Sequence, residues 1–73
     1  MRAAFVIENL GCANCAAKME RKISKIQGVR SASVIFMSKK LIVDADETDI
    51  GRIEMEAGII VKSIEPDSRL IKG

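Results

Sequence analysis

The chain has no histidine, tryptophan or tyrosine, a single proline, and only two aromatic residues, Phe5 and Phe36. Each shortage closes a route. Without histidine, and with only two cysteines, a four-ligand structural zinc site of Cys and His lacks its partners. Without aromatic side chains to stack bases, the basic residues make no nucleic-acid platform, so no nucleic-acid partner is expected. The longest apolar runs, "AAFVI" and "GIIV", fall far short of the ~20 residues a membrane span needs. Nothing near Met1 has the apolar middle and small-residue cleavage site of a secretion signal. The expected setting is the cytosol, or the cytosolic side of a membrane, with no membrane insertion by this segment. At 73 residues the chain sits near the lower size limit for folding on one core. It has no room for an enclosed reaction cavity, so an enzyme is not expected.

What is present is a core-forming set of Ile, Val, Leu, Met and Ala, within 48% hydrophobic and 30% charged residues. The charge is unevenly spread. Residues 1–40 hold eight Lys/Arg against two acids, and residues 41–73 hold four against eight. The net charge of +2 therefore conceals a basic first half suited to an acidic partner.

The apolar spacing gives six elements. "RAAFVIE" reads as a strand. From Cys15 to Ile26 the residues Ala16, Met19, Ile23 and Ile26 recur at helical spacing, with Lys18, Arg21, Lys22 and Lys25 on the other side. Asn14 is the expected N-cap and Gly28 the stop. "VRSASVIF" and "LIVDA", joined by the turn "MSKK", read as a hairpin. "DETDIGRIEMEAG" reads as a second helix, with Ile50, Ile53 and Ala57 on one face and an end at Gly58. "IIVKSIEP" is expected to be the last strand. "DSRLIKG" is expected to be a loose end, so that residues 1–67 form the domain and 68–73 a tail or linker into a longer chain. The order β-α-β-β-α-β belongs to the α+β class. It predicts a ferredoxin-like sandwich, one four-stranded antiparallel sheet with two helices on one face.

The chemistry lies in "GCANC". Cys12 and Cys15 stand two residues apart at a helix start, where residues three apart have Cβ atoms roughly 5–6 Å apart on one face. Two sulfurs on a tetrahedral zinc-like ion, at bonds of ~2.3 Å, lie roughly 3.8 Å apart, which a small loop adjustment reaches. The helix N-terminus favours thiolate over thiol. Soft thiolates select Cu(I), Zn(II), Cd(II), Pb(II) or Hg(II) over hard ions. In a reducing compartment such a pair points to metal or redox chemistry more than to a structural disulfide. A thioredoxin-type pair lacks its Trp and its proline context here. Met1, Met19, Met37 and Met55 are expected to fill gaps at core or edge positions, and not to form a methionine copper site.

"NLGCANCAAKMERKISKIQGV" resembles the signature of heavy-metal-associated domains, G-M-x-C-x-x-C followed by an amphipathic helix and G-V. The likeness extends over roughly residues 3 to 66. It implies that Cys12 and Cys15 are the ligands of one ion, and that Leu10, in place of the usual Met, packs beneath the loop. Asn9 replaces the usual Gly, and Asn tolerates positive φ better than most residues. The "CANC" core and the non-aromatic "AGIIVK", with Ile59 at the position of an aromatic, look most like the domains of zinc-, cadmium- and lead-exporting P-type ATPases. A divalent ion prefers a donor beyond two thiolates, and Glu56 and the Asn14 carbonyl are the candidates in the chain. The resemblance implies a monomeric metal-binding domain of a Zn/Cd/Pb-type transporting ATPase. Such a domain exchanges its ion with a donor or acceptor domain or with the rest of its own transporter. The alternatives are a free copper(I) metallochaperone or copper-ATPase domain, and a small dithiol redox protein.

Overall fold

A computed structural model describes residues 1–72. Its elements are β1 (Arg2–Glu8), α1 (Ala13–Ile23), β2 (Val29–Ile35), β3 (Lys40–Ala45), α2 (Glu47–Ile64) and β4 (Arg69–Lys72). The strands form one sheet in the order β2-β3-β1-β4, and every neighbouring pair is antiparallel. This is the expected α+β sandwich.

Alternation along the strands fixes which face is covered. Phe5 and Ile7 of β1 and Leu41, Val43 and Ala45 of β3 are buried, and the register sets Phe5 opposite Leu41. Ala16, Met19 and Ile23 from α1 and Ile53, Ala57 and Val61 from α2 close on that same face in one apolar cluster. Each fully buried Leu, Ile or Met in it contributes about 1.5–3 kcal/mol. Of the four methionines only Met19 lies in this core. Met1, Met37 and Met55 are exposed, which corrects their expected gap-filling role.

Three element boundaries differ from expectation. Cys12, not Asn14, caps α1, and the helix ends at Ile23, three residues before Ile26. The chain then turns through Gly28, whose φ of +97° suits a residue without a side chain. Most consequential is α2, which runs through Gly58 to Ile64. Ala57, Val61 and the half-buried Ile60 and Ile64 continue the 3.6-residue stripe. Their burial outweighs the ~1 kcal/mol that Gly costs in mid-helix. Pro66 sets the real end, because the residue before proline is driven to extended backbone. Glu65 accordingly has φ −131° and ψ 96°. The last strand is therefore Arg69–Lys72, inside the segment 68–73 expected to be a tail. It pairs with β1, Leu70 against Ile7 and Arg69 against Glu8.

Candidate metal centre

The loop from Asn9 to Cys12 leads from β1 into α1. Asn9 has φ +62°, the left-handed conformation that Asn adopts more readily than most residues. Leu10 next to it is completely buried and anchors the loop on the core, as the resemblance implied. Gly11 is exposed, and Cys12 follows in extended backbone at φ −136°. Its carbonyl accepts the Ala16 N–H at 3.0 Å. Its Sγ accepts the Cys15 N–H at 3.2 Å. A cysteine sulfur thus does the work usually done by a Ser or Asp oxygen at an N-cap.

The two thiols are inequivalent. Cys12 is held below its ordinary pKa, first by the Cys15 side chain donating to its sulfur, then by the N–H groups of Cys15 and Asn14. Cys15 is pushed up to about 11, first because its thiol is the donor to Cys12, then by partial burial and by the negative charges of Cys12 and Glu65. Cys12 therefore gives up its proton more readily than Cys15, whose thiol donates to it. Both cysteines are free and half-buried, neither sealed in the core nor splayed apart.

A third group joins them. The side chain of Glu65, in the turn after α2, brings an oxygen to the two sulfurs, and the three atoms all lie within 4.8 Å of one another. Ligand atoms around a tetrahedral zinc-like ion lie roughly 3.5–3.8 Å apart, so a slight contraction completes a three-donor site. Three groups that carry negative charge when ionised face one point, and a cation there removes their mutual repulsion.

The other two candidates lie elsewhere. Glu56 is half-exposed on α2 and paired with Arg52, Nη1 to Oε2 at 2.8 Å. Arg52 in turn donates to the Gln27 carbonyl at 2.7 Å, in the turn beyond the far end of α1. Asn14 is exposed in the first turn of α1, where a helical carbonyl points along the axis toward the C-terminus and away from the sulfurs. Glu65 was not reached from sequence. The available signal was Pro66, which ends α2 and places the preceding Glu at the turn beside the cysteine loop.

The family model of the heavy-metal-associated domain matches residues 4–66. Among curated relatives, a cadmium-, zinc- and cobalt-transporting ATPase of Bacillus subtilis is 34% identical over 62 residues, 85% of this chain and 9% of the relative. The copper chaperone CopZ of Enterococcus hirae is 27% identical over 55 residues, 75% of this chain and 80% of the relative. Among solved structures, the Cu(I)-loaded N-terminal domain of a potential copper-translocating P-type ATPase from Bacillus subtilis superposes with a TM-score of 0.74 at 25% identity. It covers 97% of this chain and 84% of that domain. The chain therefore spans only a small fraction of the ATPase it matches and most of the chaperone. On the matched model, the shared fold and the paired cysteines, the chain belongs to the heavy-metal-associated domain family, a metal-binding module and not a catalyst.

Proposed function

We propose that this chain binds one soft divalent ion, Zn(II), Cd(II) or Pb(II), through Cys12, Cys15 and Glu65. We further propose that it passes the ion on as a cytosolic metal-binding domain of a heavy-metal-transporting P-type ATPase. The observation that carries this reading is the carboxylate oxygen beside the two sulfurs. Two thiolates suffice for Cu(I), whereas Zn(II) takes Cys sulfur and carboxylate oxygen together and favours four donors. The ATPase relative named for cadmium, zinc and cobalt points the same way.

Transfer follows from incomplete enclosure. Three donors leave a position open to a thiolate or carboxylate of an incoming partner, and the ion moves through an intermediate in which both proteins hold it. A closed four-ligand cage would retain it. Lys18, Arg21 and Lys22 along α1 and Lys25 in the turn after it lie exposed beyond the site and suit an acidic partner.

The test is competitive titration of the reduced chain with Zn(II), Cd(II), Pb(II) and Cu(I) against calibrated chelators. Stoichiometric binding disappears in Cys12→Ser/Cys15→Ser while the fold persists; binding that survives the double change ends the proposal. Copper(I) is the second reading, supported by the chaperone relative and the Cu(I)-loaded neighbour. It gains if Glu65→Gln leaves all four affinities unchanged.

A further inference from the structure

The cysteine loop and the Glu65 turn come from opposite ends of the chain, yet two side chains tie them together. The Asn9 Nδ2 donates to the Asp67 carbonyl at 3.1 Å. The Ser68 Oγ donates to the Asn9 carbonyl at 3.2 Å. Each of the two residues thus binds the other's segment.

Neither side chain is required by the fold. The left-handed backbone at Asn9 is met by Gly at no steric cost, so the carboxamide is an addition that reaches across to residue 67. Ser68 is wholly enclosed, and a buried hydroxyl costs roughly 1–3 kcal/mol unless it is bonded. Alanine would fill the same space without that liability. What the hydroxyl provides is a fixed contact to the loop that carries Cys12.

The turn it fixes is already stiff. Glu65, Pro66, Asp67 and Ser68 form a four-residue turn in which the Ser68 N–H donates to the Glu65 carbonyl at 2.9 Å. Pro66 occupies the second position, where its fixed φ is favoured. Beyond the turn, Arg69 Nη2 and Nε meet Glu8 Oε1 at 2.8 and 3.2 Å. Glu8 and Asn9 on one side and Asp67, Ser68 and Arg69 on the other are thus bonded at successive positions.

We propose that Asn9 and Ser68 are positioning residues that latch the Glu65 turn to the Cys12 loop, holding the carboxylate beside the sulfurs before an ion arrives and so favouring divalent ions over Cu(I). The proposal rests on the reading of Cys12, Cys15 and Glu65 as the donor set. Holding a ligand in place removes the cost of ordering it on binding. A carboxylate on a loosened turn samples positions away from the sulfurs, and the divalent ion then loses its oxygen donor for part of the time. Cu(I), held by the sulfurs alone, is nearly indifferent to where that turn lies.

The experiment measures Zn(II) and Cu(I) affinities by chelator competition for the unchanged chain, Asn9→Gly, Ser68→Ala, Glu65→Gln and Glu65→Gln/Asn9→Gly. Circular dichroism and melting confirm that each variant is folded. Partners that orient metal ligands are worth about 10–100-fold in affinity, so Asn9→Gly and Ser68→Ala each weaken Zn(II) by about 10-fold, with a much smaller change for Cu(I). In the Glu65→Gln background Asn9→Gly adds nothing, because the ligand it positions is gone. The cadmium NMR shift of Asn9→Gly moves toward that of Glu65→Gln, a change that general loss of stability does not produce. Two results overturn the latch alone: equal losses for Zn(II) and Cu(I), or a full Zn(II) loss added on top of Glu65→Gln. If Glu65→Gln itself leaves Zn(II) affinity intact, the donor set is wrong and the latch falls with it.

Discussion

Cys12 and Cys15 are chemically unequal although both lie half-buried in the same turn. Cys12 is favoured as thiolate, while Cys15 keeps its proton up to about 11. An alkylating reagent therefore modifies Cys12 first near neutral pH, and peptide mapping by mass spectrometry reads the order. In Cys12→Ser the alkylation profile of Cys15 shifts to lower pH, because the acceptor and the charge that raise its pKa are gone. The sign of the metal linkage follows. Binding requires both sulfurs deprotonated, so apparent affinity rises with pH up to about 11 and falls on acidification. One proton leaves per ion while Cys12 is already ionised, and two leave below its pKa. Calorimetry in buffers of different ionisation heat measures that number. A pH-independent affinity between neutrality and pH 10 would rule out Cys15 as a ligand.

Among the elements, α2 was the least legible from sequence. "GIIVK" offered a glycine and three β-branched residues in a row, the local signature of a helix stop followed by a strand. The register of Ala57, Ile60, Val61 and Ile64 carried the helix onward, and tertiary burial overrode local preference. With the last strand expected in "IIVKSIEP", nothing in the sequence brings residue 65 near residue 12. The cysteine pair, by contrast, was legible because its chemistry lies within four consecutive residues. The element order was legible too, from apolar spacing, and the anchoring of Leu10 was legible only through the resemblance of the motif.

Two substitutions probe these elements. A Cβ added at Gly58 meets nothing within 4 Å, so Gly58→Ala stabilises the chain by up to about 1 kcal/mol. Gly28→Ala acts oppositely. Its Cβ would lie 3.0 Å from both Arg52 Nη2 and Asp49 Oδ2, at φ +97°, and the loss exceeds about 1 kcal/mol. Denaturant unfolding separates the two signs.

Over the whole molecule, the two helices lie side by side on the sheet, and their net charges are opposite in sign. α1 carries Lys18, Arg21 and Lys22 against Glu20, with Lys25 in the turn beyond it, whereas α2 carries Glu47, Asp49, Glu54 and Glu56 against Arg52 and Lys62 and leads into Glu65. A partner that approaches α1 is steered over the cysteine loop by charge, while the acidic side disfavours the wrong orientation. Lys18→Glu/Lys22→Glu therefore slows ion transfer to an acidic acceptor at low salt. The difference from the unchanged chain shrinks as ionic strength rises and the Debye length falls to about 8 Å. Stopped-flow transfer rates across a salt series read this directly. Equal salt dependence in both proteins would remove α1 from the docking surface.

The central claim is that a divalent ion is held by two sulfurs of one chain together with a carboxylate oxygen. X-ray absorption at the zinc edge of the Zn(II)-loaded reduced chain tests it most directly. The account predicts two sulfur neighbours at about 2.3 Å and oxygen at about 2.0–2.2 Å, with the oxygen shell altered in Glu65→Gln. A shell of four sulfurs, which requires two chains around one ion, or a shell with no sulfur would contradict it.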